Sequence, residues 1–137
     1  VPDIIDNAYA VVDYQGGARA MLDLCMFAEG SRHEVEISAT GERGKVEAFE
    51  PDDEVVICYR DGRPPQRIRF EIETELRQAG SHHGSTYYEH LAFLAAIRGG
   101  NPSAVNARDG AMAVAVGAAA ERSIRLARPV ELRELGF

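Results

Sequence analysis

The chain has 137 residues, enough for one domain with a two-layer core and no need of metal or disulfide staples. Fifteen basic against twenty-two acidic residues leave a formal charge of −7. No stretch gathers Lys and Arg densely enough to neutralise a row of phosphates, which argues against nucleic acid and anionic membrane as partners. Cys25 and Cys58 lie in apolar, strand-like runs without CxxC spacing, and read as small buried hydrophobes in a reducing cytoplasm. VPDIIDNAY lacks the basic flank and apolar core of a secretory leader, and no window approaches the roughly eighteen apolar residues of a membrane span. The reading is a cytoplasmic, soluble protein. With no initiator Met before Val1, it is also expected to be a segment of something longer.

In chain order, the first half alternates with a period of two and meets turn residues at short, regular intervals, as an antiparallel sheet requires. Asn7 to Tyr14 is the first strand, Gly16-Gly17 the turn, and Ala18 to Phe27 the return, with Ala18, Ala20, Leu22, Leu24 and Met26 on one face. Glu34 to Thr40 sets Val35, Ile37 and Ala39 against Glu34, Glu36 and Ser38, so one face is expected to be buried. Gly41 to Gly44 turns the chain into Lys45 to Phe49. Val55 to Arg60 follows, then a turn at Asp61-Gly62 with Pro64-Pro65, and Gln66 to Glu73 as a sixth strand.

From Thr86 the period becomes helical. Thr86-Tyr87-Tyr88-Glu89 has the pattern of a capping box, Tyr87, Leu91, Leu94 and Ile97 form a stripe, and Gly99-Gly100 ends it. A second helix is predicted after Asn106 as N-cap, with Asp109 in its first turn, running to about Leu126 before Pro129. Six alanines and Gly117 between Ala111 and Ala120 allow its backbone to approach a neighbouring layer closely. Val130 to Leu132 is expected as a short closing strand. The order predicts a single α+β domain over residues 1–137, an open, predominantly antiparallel sheet of about six strands with two main helices on one face. Tyr9, Val11, Met21, Cys25 and Phe27 are apolar on the side opposite the small residues of the first two strands, which implies a partner there, most simply a second copy.

Residues 80–90, GSHHGSTYYEH, hold three of the four histidines. Zinc needs three or four ligands converging at about 2 Å, commonly from His at i and i+4 or from paired cysteines. His82 and His83 are adjacent, His90 lies seven residues beyond His83, and neither HExxH nor CxxC occurs, so no metal is expected. His90 reads as a surface imidazole in the first helical turn, and Tyr87 and Tyr88 as amphipathic packing. His82 and His83 stand at a helix amino terminus. They are either solvated loop residues or part of a site for an anionic or hydroxylated ligand. Gly41 and Gly44 sit between strands, so no dinucleotide or phosphate loop is matched, and no GxSxG elbow is present. Lys45, the only lysine, reads as a charge at the strand edge.

Four segments carry a resemblance: DYQGGARAMLDLCMF, EVEISATGERGKVEAF, HHGSTYYEHLAFLAAIRGGNPS and DGAMAVAVGAAAERSIRLARPVEL. In this order and spacing they resemble the carboxy-terminal domain of the Gfo/Idh/MocA family of NAD(P)-dependent oxidoreductases, over nearly the whole chain. The resemblance implies a domain that follows a Rossmann domain, lines the substrate cleft and associates through its open sheet face into a homo-oligomer. The substrate it implies is a small sugar, polyol or related hydroxy compound, and the cofactor NAD or NADP. His83-Gly84 stands where the family commonly has His-Gly, with Ser85 where a further glycine is usual, so His82, His83 and Ser85 are the implied substrate-lining residues. The family's cofactor loop, its Glu-Lys-Pro lysine and the Asp and His that precede the sheet have no counterpart here. These 137 residues alone are therefore expected to contain no catalytic residue and to bind no cofactor. A stand-alone module that dimerises through the apolar strand face is the alternative.

Overall fold

The computed structural model describes residues 4–78, 82–99 and 102–137. Its elements in chain order are β1 (Asn7–Asp13), β2 (Arg19–Cys25), β3 (Val35–Gly41), β4 (Gly44–Glu50), β5 (Glu54–Tyr59), β6 (Gln66–Arg69), α1 (Thr74–Arg77), α2 (Ser85–Ile97), α3 (Ala107–Leu126) and a 3-10 helix at Leu132–Leu135. The fold is α+β, with six antiparallel strands. The strands form a two-stranded sheet, β1-β2, and a four-stranded sheet in the order β3-β4-β5-β6. The chain divides into two compact units, Val1–Glu29 with Ser103–Phe137, and Gly30–Pro102. No helix among the described residues is long and apolar enough to cross a membrane.

In the first unit, Tyr14, Gly17 and Ala18 close the predicted turn with two backbone hydrogen bonds of 2.9 and 3.0 Å. The register pairs Val11 with Met21 and Asn7 with Cys25, so Tyr9, Val11, Met21 and Cys25 share one face, while Ala8, Ala10 and Val12 share the other with Leu24, Leu22 and Ala20. The small-residue side of β1 is half-buried. The opposite side is open, with Tyr9 76%, Val11 62% and Met21 71% exposed. Phe27 lies just past β2 and is also exposed. Cys25 is a free, exposed thiol, contrary to the expectation of burial, because it belongs to this open face; Cys58, in β5, is half-buried. Ala115 and Ala119, four residues apart on α3, are the buried apolar residues among those described.

The expected strand at Val130 to Leu132 does not form. Instead Arg128 grips Glu134 with both terminal guanidinium nitrogens, Nη1 and Nη2, at 3.1 and 2.8 Å, and Glu134 Oε1 accepts from the Glu131 N–H at 3.0 Å. That pair of contacts winds the chain into the 3-10 helix, which packs on α3. The guanidinium and the Glu131 N–H together hold the Glu134 carboxyl down at about 2.

In the second unit, inner strands β4 and β5 are largely half-buried, because each is paired on both sides. Edge strand β3 is exposed along its whole length, so its expected buried face at Val35, Ile37 and Ala39 is not found. β6 is shorter than predicted. It stops at Arg69, where its partner begins at Glu54, and one further backbone bond, Phe70 N–H to Asp53 carbonyl, extends it. The turn before it is tied by Arg63, whose guanidinium lies 3.7 Å above the Tyr59 ring. The β3-β4 hairpin turns at Glu42-Arg43, with Gly41 facing Gly44. A Cβ on Gly44 would collide with the Cys58 carbonyl oxygen, so the approach of β5 to β4 requires glycine there. Lys45 is the second residue of an inner strand and not an edge charge. It is paired with Glu47 at 2.6 Å, which raises its pKa.

Candidate functional site

Helix α2 begins two residues before the start that a Thr86 N-cap predicts. Its N-cap is Gly84, in the left-handed region at φ 93, and no side chain caps it; the Thr86-Glu89 capping box is not formed, because both residues are already inside the helix. The preceding residue, His83, also has a positive φ of 48. Two such residues in succession reverse the chain tightly, and the reversal is closed by the Ser85 N–H and the Ser85 hydroxyl, both donating to the His82 carbonyl at 2.9 and 2.8 Å. Gly84 is buried, with the Leu76 carbonyl oxygen 3.1 Å from where a Cβ would stand. Gly80, Ser81 and Gly100 lie outside the described residues.

This turn forms one wall of a cavity of about 610 Å³. His82, His83, Ser85 and Tyr88 contribute that wall. The end of β4 contributes Glu50, Pro51 and Asp52, and the chain after β6 contributes Phe70, Glu71 and Ile72. The sequence-predicted His82, His83 and Ser85 are thus brought together on one cavity. Tyr88 joins them and packs edge-on against Tyr87 at 5.6 Å between ring centres. His90 is exposed and is the sixth residue of α2, past the first turn where it was expected.

His83 is half-buried, and its Nε2 lies 3.4 Å from Glu34 Oε2, just before β3. A second, smaller cavity of about 300 Å³ shares Asp52 with the first and is built around His33. That ring stacks on Phe49 at 4.6 Å between centres, with Nδ1 3.4 Å from Glu36 and Nε2 3.6 Å from Asp52. Glu54, on its rim, is bound by Arg67 and lies 3.5 Å from Arg69 Nε. Sequence reading missed His33, Glu34 and the three cavity carboxylates Glu50, Asp52 and Glu71. Their alternation along the strands shows only that they are polar, and nothing local links Glu34 to a histidine 49 positions away. Among the described residues no three His, Cys, Asp or Glu side chains converge as metal ligands would.

A lining that combines His82, His83, Ser85, Glu50, Asp52 and Glu71 with Phe70, Ile72 and Tyr88 suits a small polar molecule bearing hydrogen-bond donors and acceptors. Gly41 and Gly44 close a hairpin, and Gly84 precedes α2 singly and follows α1, so none of these three opens a helix directly after a strand. No curated protein matches the chain. A family model, the C-terminal alpha/beta domain of the Gfo/Idh/MocA oxidoreductase family, matches residues 1–132. The chain belongs to this family. Membership in the Gfo/Idh/MocA C-terminal domain agrees with the resemblance carried by the four sequence segments and with the α+β fold.

Proposed function

We propose that this Gfo/Idh/MocA C-terminal domain is the substrate side of an NAD(P)-dependent oxidoreductase acting on a sugar, polyol or related hydroxy compound, and that two copies associate through the open face of β1-β2. The observation that carries the first part is the cavity at the start of α2, which His82, His83 and Ser85 line together with Glu50, Asp52 and Glu71 and with the apolar Phe70 and Ile72. Family membership supports the reaction class. The nicotinamide would exchange the hydride, held by a Rossmann-type segment of the whole protein. This domain's own residues bind and orient the hydroxyl-bearing substrate. The second part is supported by Tyr9, Val11 and Met21 standing exposed on one strand face, an apolar patch that a two-fold dimer would bury.

The test is an assay of the complete natural polypeptide for NAD+ or NADP+ reduction across a panel of sugars and polyols, beside calorimetric titration of the 137-residue chain with NADH and NADPH. Turnover by the former, with no low-micromolar binding by the latter, is expected. Lack of turnover with every member of the panel, or tight dinucleotide binding by the 137-residue chain, overturns the assignment. For the dimer, light scattering should give twice the monomer mass, reduced by Phe27→Glu or Met21→Glu; a monomer at high concentration overturns it.

A further inference from the structure

We propose that Glu34 is the positioning residue for His83, holding its ring in the tautomer that donates from Nε2 so that Nδ1 is presented as an acceptor to a hydroxyl of the ligand. This rests on reading the cavity as a substrate site. A neutral imidazole has one donor and one acceptor nitrogen, and an ionised carboxylate only accepts. With Glu34 Oε2 3.4 Å from Nε2, the proton belongs on Nε2 and the lone pair on Nδ1.

Both partners are held by separate elements. The Glu34 N–H donates to the Glu50 carbonyl at 2.8 Å, fixing the start of β3 to the end of β4, which itself leads into the cavity wall at Pro51 and Asp52. His83 is fixed by its positive φ and by the Ser85 bonds that close the turn behind it. The contact therefore joins the sheet to the helix entrance across 49 residues and is not a product of local sequence. It also sets a specificity. Opposite the Nδ1 lone pair of the neutral ring, a hydroxyl that carries a hydrogen is accepted, while a carboxylate or phosphate oxygen meets an acceptor and is disfavoured.

The test begins with the 137-residue chain carrying ¹⁵N-labelled histidine. Long-range ¹H–¹⁵N spectra at mildly alkaline pH should show His83 almost wholly protonated on Nε2. Glu34→Ala should bring in a clear minor Nδ1-protonated form, and Glu34→Gln, whose amide oxygen still accepts, should largely restore the single tautomer. Glu34 is exposed, so these variants should fold, and dispersed amide spectra confirm it. A wild-type His83 protonated on Nδ1, or a tautomer ratio indifferent to Glu34→Ala, overturns the positioning role whatever the enzyme does. In the complete polypeptide, Glu34→Ala should lower kcat/KM for a turned-over neutral polyol several-fold and have no added effect in a His83→Ala background. Independent, additive losses overturn the coupling. If the tautomer result holds and kcat/KM does not move, the positioning stands and the ligand role of the cavity falls.

Discussion

The two long helices begin in opposite ways. Helix α3 starts on Asn106, whose side chain accepts from the Arg108 and Asp109 N–H groups at 2.8 and 3.1 Å, while Asp109 returns a bond to the Asn106 N–H at 2.9 Å. Helix α2 carries an equally good capping sequence in Thr86 to Glu89 and does not use it. The chain enters α2 through His83 and Gly84, both at positive φ, so the helix begins two residues early and the Thr-Glu pair is overtaken. A reciprocal cap satisfies orphan backbone donors and does nothing else. The unconventional entrance of α2 brings His82, His83, Ser85 and Tyr88 onto a cavity. Where local preference is set aside in this way, the geometry gained is the place to look for function.

The largest expected effect tests that contrast at the cavity. In the complete polypeptide, His83→Ala should lower kcat/KM by about 1 to 3 kcal/mol, the range for a lost hydrogen bond in a desolvated site. Cofactor affinity should not change. An unaltered kcat/KM would show that the α2 entrance is only a turn. Next comes Gly84→Ala, which forces a Cβ into the left-handed region and to 3.1 Å from the Leu76 carbonyl. Denaturant titration should show a loss of about 1 to 2 kcal/mol, the penalty of that backbone region for an L-residue. Asn106→Ala should remove about 1 kcal/mol by deleting the cap. It should leave substrate parameters intact, because the α3 entrance lines neither cavity described here.

The contrast also marks how far the sequence could be read. The six strands and the extent of α3 follow from alternation, turn residues and the Asn106 cap, all of which act within a few residues. The α2 cap misled because the pattern Thr-x-x-Glu does not report what the two preceding residues do, and a positive φ at a histidine carries no local signal. Val130-Glu131-Leu132 alternates like a strand, yet the Arg128–Glu134 clip starts a 3-10 helix at Leu132. The grouping of the strands into a pair and a foursome was not legible, since the period of a strand says which face a residue takes and not which neighbour it meets. His82 and His83 were legible as paired histidines ahead of a helix amino terminus, and Ser85 was added through the resemblance. Glu34 and the carboxylates of the cavity were not legible, because their meaning lies in contacts between distant segments.

The far end of the α3 region supplies a prediction from acid titration. Glu134 is held at about 2 in the folded chain by Arg128 and the Glu131 N–H, below its usual value of 4.5. A lowered folded value means that the ionised form is favoured by folding. Its contribution is present above the unfolded value and is lost as pH falls from about 4.5 through about 2. Melting temperatures of the wild type and Glu134→Gln should therefore differ at neutral pH and converge across that window. A constant gap would show that the clip does not depend on charge.

The smallest effect is the sharpest test of the unused cap. If Thr86 and Glu89 capped α2 in solution, replacing either by Ala would cost about as much as losing Asn106, near 1 kcal/mol. In the structure neither side chain satisfies the helix start, since Gly84 is the N-cap and no side chain serves it. Thr86→Ala and Glu89→Ala should accordingly fall within about 0.5 kcal/mol of wild type, as exposed substitutions do, and Thr86→Ala should sit at the favourable end because alanine is the better helix former. His90→Ala belongs with them, being exposed in the second turn. Two losses near 1 kcal/mol with a non-additive double variant would mean that Thr86 and Glu89 do close a box. In that case α2 would begin later, and His83 and Gly84 would be released from the turn that now sets them against the cavity.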